Sequence, residues 1–308
     1  MSLALKELIR IGEKQLADAG VADAAIDARE LYCYMMGYDR VDLMMHWQEI
    51  LQDNRCEAYF ELIARRASRI PLQHITGEQE FMGLKFWVSD KVLIPRQDTE
   101  TMVEDALELL TKGSLRGSAY AEGKLNHRGI EVLDLCCGSG AIGISIAAKC
   151  ERARVSCSDL SGEALEIARK NAERNKCRGI KFIESDMFES KAFHGAFGNK
   201  KFDLIISNPP YIESKVIEEL EPEVRNCEPR LALDGGEDGL HFYRIIAEQA
   251  AAHLAKNGIL MTEIGYDQQA AVAKLLEETE AYEKIIGLKD LAGRDRIIVA
   301  TKKNNKRK

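Results

Sequence analysis

Apolar residues recur at helical spacing through the first part of the chain, between residues 3 and 70. Leu5 and Leu8 fall on one face of a helix, and Gly20 and Gly37 separate successive helical stretches. The pattern carries polar residues on the opposite face, as is typical of helices that pack around a small core. The sequence therefore predicts a small helical domain at this end of the chain.

A pattern of period two follows the helical region. Met82, Leu84, Phe86 and Val88 occupy every second position, which predicts a strand or a β-hairpin. A further helix is predicted to begin near Thr99. The connection between the two parts of the chain therefore has regular structure of its own.

From Ile130 onward, short β-type runs alternate with helical stretches. The runs are IEVLDLC, ARVSCSD, IKFIES, FDLIISN and GILMTEIG, and helices are predicted at 161–175 and 266–280. This alternation predicts a mainly parallel sheet with helices on both faces. The polar, glycine-punctuated segment 113–129 predicts a surface loop. We expect a helical domain over 1–75, a hairpin linker over 76–97 and an α/β domain over 98–308.

Composition narrows the class of protein. Of the 308 residues 45% are hydrophobic and 30% are charged, and no apolar run approaches the ~18 residues of a membrane span. The first twenty residues mix charge into the apolar pattern and lack a signal-peptide core, so we expect a cytoplasmic protein. The net charge of −7 argues against broad capture of nucleic acid. We expect a monomer that has no direct contact with nucleic acid or membrane.

The eight cysteines are scattered and form no CxxC pair. Without paired spacing or a partner histidine, they predict neither a zinc site nor a disulfide framework. We expect free thiols and no metal.

A glycine-rich turn follows the first β-type run. The segment DLCCGSGAIG begins at Asp134, and residues 138–143 match the pattern GxGxxG. Glycines let such a turn approach a ligand closely, and the helix behind it presents free N–H groups. Asp159 ends the next run 21 residues after Gly138, where a carboxylate can accept the hydroxyls of a ribose. The turn predicts a cofactor that contains a nucleoside.

The glycine turn alone fits a nicotinamide dinucleotide as well as S-adenosylmethionine. Two acids favour S-adenosylmethionine. Asp134 lies where it would attract the ammonium of a methionine moiety and repel a pyrophosphate. Asp186, with Met187 beside it, is placed for an adenine amine and an adenine ring. The alternative is that both acids only cap turns.

The run FDLIISN ends in SNPPY, residues 207–211. Two consecutive prolines fix their φ angles and remove two backbone donors. In an open α/β sheet the strand ends face the ligand, so Asn208 is predicted to lie beside the glycine turn. The alternative is an ordinary strand end, since Asn and Pro commonly form turns.

These segments together resemble a known family. The glycine turn, the acid at 159, the segment SDMF and NPPY resemble class I S-adenosylmethionine-dependent methyltransferases that methylate a planar amino group. Beyond this part, the chain resembles the bacterial release factor glutamine N5-methyltransferases of the HemK/PrmC family. The segments that carry this resemblance are PLQHITG (71–77), LIPRQDTE (93–100), EPRLALDGGEDGL (228–240) and EIGYDQ (263–268).

The resemblance implies a fold, a cofactor and a substrate. The fold is a Rossmann-like, seven-stranded methyltransferase domain, joined by a β-hairpin to an N-terminal helical domain that docks the substrate. The cofactor is S-adenosylmethionine, which leaves as S-adenosylhomocysteine, and the substrate is the glutamine of the Gly-Gly-Gln sequence of peptide chain release factors. The catalytic residues implied are Asn208, Pro209, Pro210 and Tyr211. The cofactor-binding residues implied are Asp134, Cys136, Cys137, Gly138, Ser139, Gly140, Asp159, Leu160, Asp186, Met187 and Asn208.

NPPY suits a primary amide because such a nitrogen carries two N–H donors. The Asn208 oxygen and the Pro209 carbonyl are two acceptors, and the Tyr211 ring is a flat surface for stacking. Arg96 is a candidate partner for an acid of the cofactor or substrate, and Asp98 and Glu263 are interpreted as structural acids. The chain departs from the family pattern at Cys136, where glycine is common, at Met187, where tryptophan is common, and in LIPRQDTE, where LIPRPETE is commoner.

Two other substrates fit the same amide chemistry. A ribosomal-protein glutamine methyltransferase shares NPPY, and an adenine N6-methyltransferase of DNA or RNA does so too. The segment EVRNCEPRLALDGGEDGL (223–240) looks more like the release factor enzymes. The net negative charge argues against the nucleic acid substrate. A cofactor-binding module without activity would leave NPPY without a role.

Overall fold

The structure is a computed structural model that describes residues 3–115 and 129–304. Most of the loop predicted over 113–129 lies outside the described residues. The chain forms two compact units. One contains the residues up to Glu78 together with Leu220–Cys227, and the other contains Gln79–Glu219 and the residues from Glu228 onward. The linear domain boundaries expected from the sequence stay predictions.

The first unit is helical, as its apolar periodicity predicted. Its elements are β1 Leu3–Ala4, α1 Leu5–Asp18, α2 Ala24–Met36, α3 Arg40–Met45, β2 Ile50–Leu51, α4 Asp53–Ala67 and α5 Leu72–Thr76. Leu5, Leu8 and Leu16 are fully buried in its core beside Tyr32 and Tyr59. Strands β1 and β2 pair as a small antiparallel sheet that the sequence pattern did not predict.

The predicted hairpin consists of β3 Glu78–Phe81 and β4 Leu84–Trp87. Met82 and Gly83 connect them with φ angles of 54° and 74°, the left-handed pair that closes a two-residue hairpin. Phe81 and Phe86 bury their rings against each other. The prediction of a hairpin is confirmed.

The second unit contains a seven-stranded sheet covered by helices. After α6 Gln97–Lys112, its strands are β5 Ile130–Leu135, β6 Ala153–Asp159, β7 Lys181–Glu184, β8 Phe202–Ser207, β9 Leu254–Glu263, β10 Tyr282–Lys289 and β11 Asp295–Lys302. Its further helices are α7 Ala141–Lys149, α8 Gly162–Arg174, α9 Lys191–Phe197, α11 His241–His253 and α12 Gln269–Glu278, while α10 Pro222–Cys227 belongs to the helical unit. The Rossmann-like α/β fold implied by the resemblance is confirmed.

The strand order is β10-β11-β9-β8-β5-β6-β7. Strands β9, β8, β5, β6 and β7 are parallel, and β11 is antiparallel to both of its neighbours. Since β6 and β8 lie on opposite sides of β5, the connections leave β5 in opposite directions. A crevice therefore opens at the carboxyl ends of these strands, the usual binding position in this architecture.

Alternate residues of the central strands enter two separate cores. Val132 and Leu204 pack on the face covered by α6 and α7, whereas Leu133 and Ile205 pack on the face covered by α11. Burial on both faces explains why these strands are continuous apolar runs. Among the helices of the described ranges, none combines the length and apolar character needed to cross a membrane.

The segment Leu220–Cys227 joins the helical unit through ion pairs. Arg66, buried in α4, pairs with Asp27 at 2.6 Å and with Glu223 at 3.0 Å. Arg69 pairs with both Glu223 and Glu221. These pairs fix a segment that follows NPPY in sequence onto helices from the start of the chain.

Candidate active site

A cavity of about 390 Å³ opens at the carboxyl ends of β5, β6, β7 and β8, within the range of small-ligand sites. Ten of the residues predicted from the sequence line it: Cys136, Cys137, Gly138, Ser139, Asp159, Leu160, Asp186, Met187, Asn208 and Pro210. The other four are not part of this lining: Asp134, Gly140, Pro209 and Tyr211. The structure therefore brings the glycine turn and the Asn-Pro-Pro-Tyr segment to one cavity.

The glycine turn is tied to the acid at the end of β6. Gly138 has a φ of 53° and donates its N–H to Asp159 Oδ2 at 2.7 Å, while Ser161 donates to Oδ1 at 2.9 Å. The Leu160 N–H is a third backbone donor to this carboxylate, which keeps one of its four lone pairs for a ligand hydroxyl. A Cβ atom at position 138 would meet no atom within 4 Å, so the space beside this glycine is empty. Burial raises the pKa of Asp159, and its backbone donors oppose that rise.

Asp134 supports the turn from behind. Its carboxyl is fully buried, and its Oδ2 accepts the Gly143 N–H at 2.8 Å. A side chain at 143 would come within 3.0 Å of this oxygen, which explains the glycine there. Its other oxygen, Oδ1, has no hydrogen-bond partner among the described residues. Burial raises the pKa of Asp134 to about 8, and the Gly143 N–H opposes that rise.

Cys136 and Met187 face each other across one side of the cavity. Their φ angles are 59° and 46°, in the left-handed region that side chains other than glycine rarely adopt. Their sulfur atoms are 3.7 Å apart. Leu160 adds an apolar surface that is 47% exposed, and the Asp186 carboxylate is exposed beside it. The cavity thus combines apolar surfaces with an acid at its rim.

Asn208 is held by a buried polar network. Its Nδ2 donates to Thr99 Oγ1 at 3.3 Å. The Thr99 hydroxyl also lies beside the Glu263 carboxyl and lowers its pKa, while Glu263 Oε2 has no hydrogen-bond partner among the described residues. The Tyr211 hydroxyl donates to Glu263 Oε1 at 3.4 Å. Burial raises the pKa of Glu263 to about 7, with Thr99 and Arg296 acting in the opposite direction. The amide nitrogen of Asn208 is therefore occupied, and its oxygen is left for a ligand.

The backbone behind Asn208 is enclosed by a glycine loop. Ile212 donates to the Leu233 carbonyl, and Gly235 donates to the Ile212 carbonyl at 2.8 Å. A Cβ atom at Gly235 would lie 2.7 Å from Tyr211 Cα. Gln268 donates its amide to the Tyr211 carbonyl at 3.0 Å. These contacts add to the proline rings in restricting the segment.

Arg96 has a partner within the protein. Its guanidinium donates to both carboxylate oxygens of Glu228, at 2.8 and 2.7 Å. Burial raises the pKa of Glu228, and Arg96 opposes that rise. Arg96 lines the cavity, and Pro229 follows the pair as part of the cavity wall. The exposed Asp98 pairs with Arg296 at 3.3 Å.

The sequence interpretation missed several residues of this network. Thr99, Gln268, Gly235 and Arg296 were assigned no role, although the first three belong to the segments LIPRQDTE, EIGYDQ and EPRLALDGGEDGL. The sequence did contain a signal for them: the three segments occur together with NPPY in one chain, and in the structure all three converge on the end of β8. All eight cysteines are free, and no group of three or more metal-ligating side chains occurs in 3–115 and 129–304.

Comparison with known proteins gives matches over most of the chain. Residues 7–77 match the family described as PrmC N-terminal domain, and residues 117–224 match the methyltransferase small domain. A release factor glutamine methyltransferase of Geobacter sulfurreducens is 40% identical over 92% of this chain and 91% of its own length. That of Agrobacterium fabrum is 37% identical over 92% and 93%. That of Caulobacter vibrioides is 36% identical over 98% of both chains.

Proposed function

The chain belongs to the family of release factor glutamine methyltransferases, and from that premise we propose that it methylates the Gly-Gly-Gln glutamine of peptide chain release factors. The methyl group goes to the side-chain amide nitrogen, N5. The observation that carries the proposal is the orientation of the Asn208 side-chain amide, whose Nδ2 donates a hydrogen bond to Thr99 Oγ1. The remaining oxygen is an acceptor at the cavity for one N–H of a primary amide. A cytoplasmic location is part of the same proposal, because translation takes place there.

The cavity fits S-adenosylmethionine as methyl donor. Asp159 keeps one lone pair for a ribose hydroxyl, and the empty space beside Gly138 leaves room for the backbone to approach a ligand. Leu160 and Met187 offer apolar surfaces for the adenine ring, and Asp186 offers an acceptor for its amine. When bound, S-adenosylmethionine would supply a methyl group on a positively charged sulfur. The nitrogen lone pair would form the new N–C bond as the C–S bond breaks, the sulfur would leave as a neutral thioether, and the nitrogen would then release one proton to solvent.

The chain's own residues contribute orientation. An amide nitrogen is a weak nucleophile, because its lone pair is delocalised into the carbonyl. If the Asn208 oxygen and the Pro209 carbonyl each accept one N–H, the nitrogen presents one face to the donor. Holding reacting atoms ~3–3.5 Å apart in this way supplies much of the rate. The two prolines and the Gly235 contact reduce the motion of these acceptors before substrate binds.

A labelling assay tests the substrate. Purified protein and S-adenosylmethionine with a labelled methyl group are incubated with release factor, ribosomal protein or DNA in parallel. We expect label on the release factor only, and none when its Gly-Gly-Gln glutamine is replaced by alanine. Label that persists on the altered release factor, or that appears only on ribosomal protein or DNA, would show that the substrate assignment is wrong.

Two variants test the role of the amide. Asn208→Ala should lose turnover and retain affinity for S-adenosylhomocysteine in calorimetry, because the residue orients the acceptor. Asn199→Ala removes an exposed amide just after α9 and should change neither quantity. An equal loss of cofactor affinity in Asn208→Ala would contradict the assigned role.

We also propose that the helical unit docks the release factor. Val41, Met44 and Met45 lie on one face of α3 at spacings of three and four and are 65–71% exposed. Met44→Glu should raise the KM for release factor and leave cofactor affinity unchanged. Leu291→Glu, at an even more exposed apolar position in the other unit, is the control. Equal KM values for the two variants would argue against docking through α3.

A further inference from the structure

One buried carboxyl group beneath Asn208 has no role in the function proposed above. Glu263 ends β9 and is 2% exposed. Its Oε1 accepts the Tyr211 hydroxyl at 3.4 Å, and its buried Oε2 has no hydrogen-bond partner among the described residues. The Thr99 hydroxyl, which holds the Asn208 amide, lies beside this carboxyl and lowers its pKa. A buried acid that joins two side chains of the site through hydroxyl groups can control how both are oriented.

The direction of these hydrogen bonds follows from the carboxylate. An ionised carboxylate only accepts hydrogen bonds, so the Thr99 hydroxyl must donate its single proton to Glu263. The Thr99 oxygen is then an acceptor, and it can bind only the NH2 side of the Asn208 amide. The Asn208 oxygen consequently remains for the ligand.

Protonation of Glu263 removes this constraint. A neutral carboxyl can donate to Thr99, whose hydroxyl is then free to donate to an inverted Asn208 amide. The inverted amide presents its NH2 group to a substrate that is itself an NH2 donor. Two donors facing each other form no hydrogen bond, so the inverted form cannot hold the substrate.

We propose that Glu263 is a positioning residue: through the hydroxyl of Thr99 it fixes the Asn208 amide with its oxygen toward the acceptor substrate. This inference deepens the proposed function and rests on it for the identity of that substrate. The hydrogen-bond polarity itself is a property of the substrate-free protein. The role of Glu263 can therefore be tested separately from the identity of the substrate.

Four elements place titratable or charged groups around Glu263. Asp98 approaches from α6, Tyr211 from the segment after β8, Tyr243 from α11 and Arg296 from β11. The Tyr243 hydroxyl donates to the Glu263 backbone carbonyl at 2.8 Å, and Arg296 is shared with Asp98 and with Asp290, which lies 3.2 Å away. Burial dominates and raises the pKa of Glu263 to about 7. The ionised, orienting form is therefore lost as the pH falls through neutrality.

The first test uses the protein without substrate. In ¹⁵N spectra, the side-chain NH2 signals of Asn208, assigned by their absence in Asn208→Ala, should shift with a midpoint near pH 7. The shift should disappear in Glu263→Gln and persist in Asp203→Asn. Asp203 is the matched control, because burial raises its pKa too while it bonds the Glu131 N–H at 2.9 Å, away from the cavity. Signals that do not titrate, or that titrate alike in Glu263→Gln, would overturn the proposal.

The second test follows methyl transfer. The wild-type kcat should fall on the acid side of pH 7, whereas Glu263→Gln should show a reduced kcat, by up to about 100-fold, without this acid limb. Glu263→Asp keeps the charge and should keep the limb. S-adenosylhomocysteine affinity should be unchanged in both. An acid limb that survives in Glu263→Gln would refute the role.

Thr99 provides a test that leaves the acid in place. Thr99→Ser keeps the hydroxyl and should retain kcat, while Thr99→Val removes it and should match the loss seen in Glu263→Gln. The double variant Thr99→Val/Glu263→Gln should lose no more kcat than either single variant, because both substitutions break the same chain of hydrogen bonds. Equal activities of the Ser and Val variants would overturn the proposal. If the wild type labels no release factor, the substrate assignment fails, and the titration of Asn208 still decides the role of Glu263.

Discussion

Gly235→Ala tests whether the glycine loop holds the Asn-Pro-Pro-Tyr segment in place. The added Cβ would lie 2.7 Å from Tyr211 Cα, 2.8 Å from its carbonyl carbon and 2.9 Å from the Pro210 oxygen. All three neighbours are backbone atoms, so no side chain can rotate away. Gly235 has no positive φ angle, and the change is therefore purely steric.

The size of the displacement follows from these distances. Ordinary contacts begin at 3.4 Å, so the loop or the segment must shift by about 0.7 Å. Displacements approaching ~1 Å at the reacting groups reduce rates by up to about 100-fold. We expect kcat to fall by roughly 10- to 100-fold. Cofactor affinity should change little, because the glycine turn after β5 lies in a different segment.

Steady-state methyl transfer and calorimetry with S-adenosylhomocysteine measure the two quantities. Gly195→Ala is the matched control, since its added Cβ meets nothing within 4 Å in α9. That variant should keep full activity and gain up to about 1 kcal/mol of stability from helix propensity. Gly235→Ala with wild-type kcat would refute the claim that the loop positions the segment, and equal loss in both variants would point to a general effect of alanine.

Three further predictions concern stability. Arg66→Met should lower the free energy of unfolding of the helical unit by about 3–5 kcal/mol in urea titrations, because it leaves Asp27 buried without its partner. The control Arg40→Met breaks only an exposed ion pair, worth about 0–1 kcal/mol. Equal urea midpoints for the two variants would contradict this prediction. At Cys136, whose φ is 59°, Gly should be more stable than Ala by about 1 kcal/mol in thermal melts, the reverse of the usual order. Burial raises the pKa of Asp134 from 3.8 to about 8, so its neutral form stabilises the fold below pH 4 and that contribution is lost as the pH rises through 8. The melting temperature of Asp134→Asn should therefore rise relative to wild type between pH 5 and pH 9, and parallel curves would be the contrary result.

Much of the fold was predictable because its signals are local. Strands buried on both faces form continuous apolar runs such as FDLIIS. The glycine turn after β5 needs a left-handed backbone, which favours glycine at position 138. The rule that strand ends share one edge then brings Asn208 to Asp159 without further information.

The remaining features depend on the geometry of side chains. Asp134 is a strand-end acid in the sequence, yet it is not part of the cavity lining and bonds Gly143. The contact between Thr99 and Asn208 spans 109 residues of sequence, and no periodicity encodes such a pair. The ion pairs of Arg66 and Arg69 with the segment Leu220–Cys227 are likewise long-range.

Those ion pairs affect when the helical unit can finish folding during synthesis. The helical unit requires Leu220–Cys227, which leave the ribosome about 140 residues after Glu78. At ~5–20 residues per second, the first helices wait roughly 7–30 s for Glu221 and Glu223. During that interval Arg69 lacks its two acidic partners. The helical unit is thus first in the sequence and late to finish, and its last segment is synthesised just before residues 229–232 of the cavity wall.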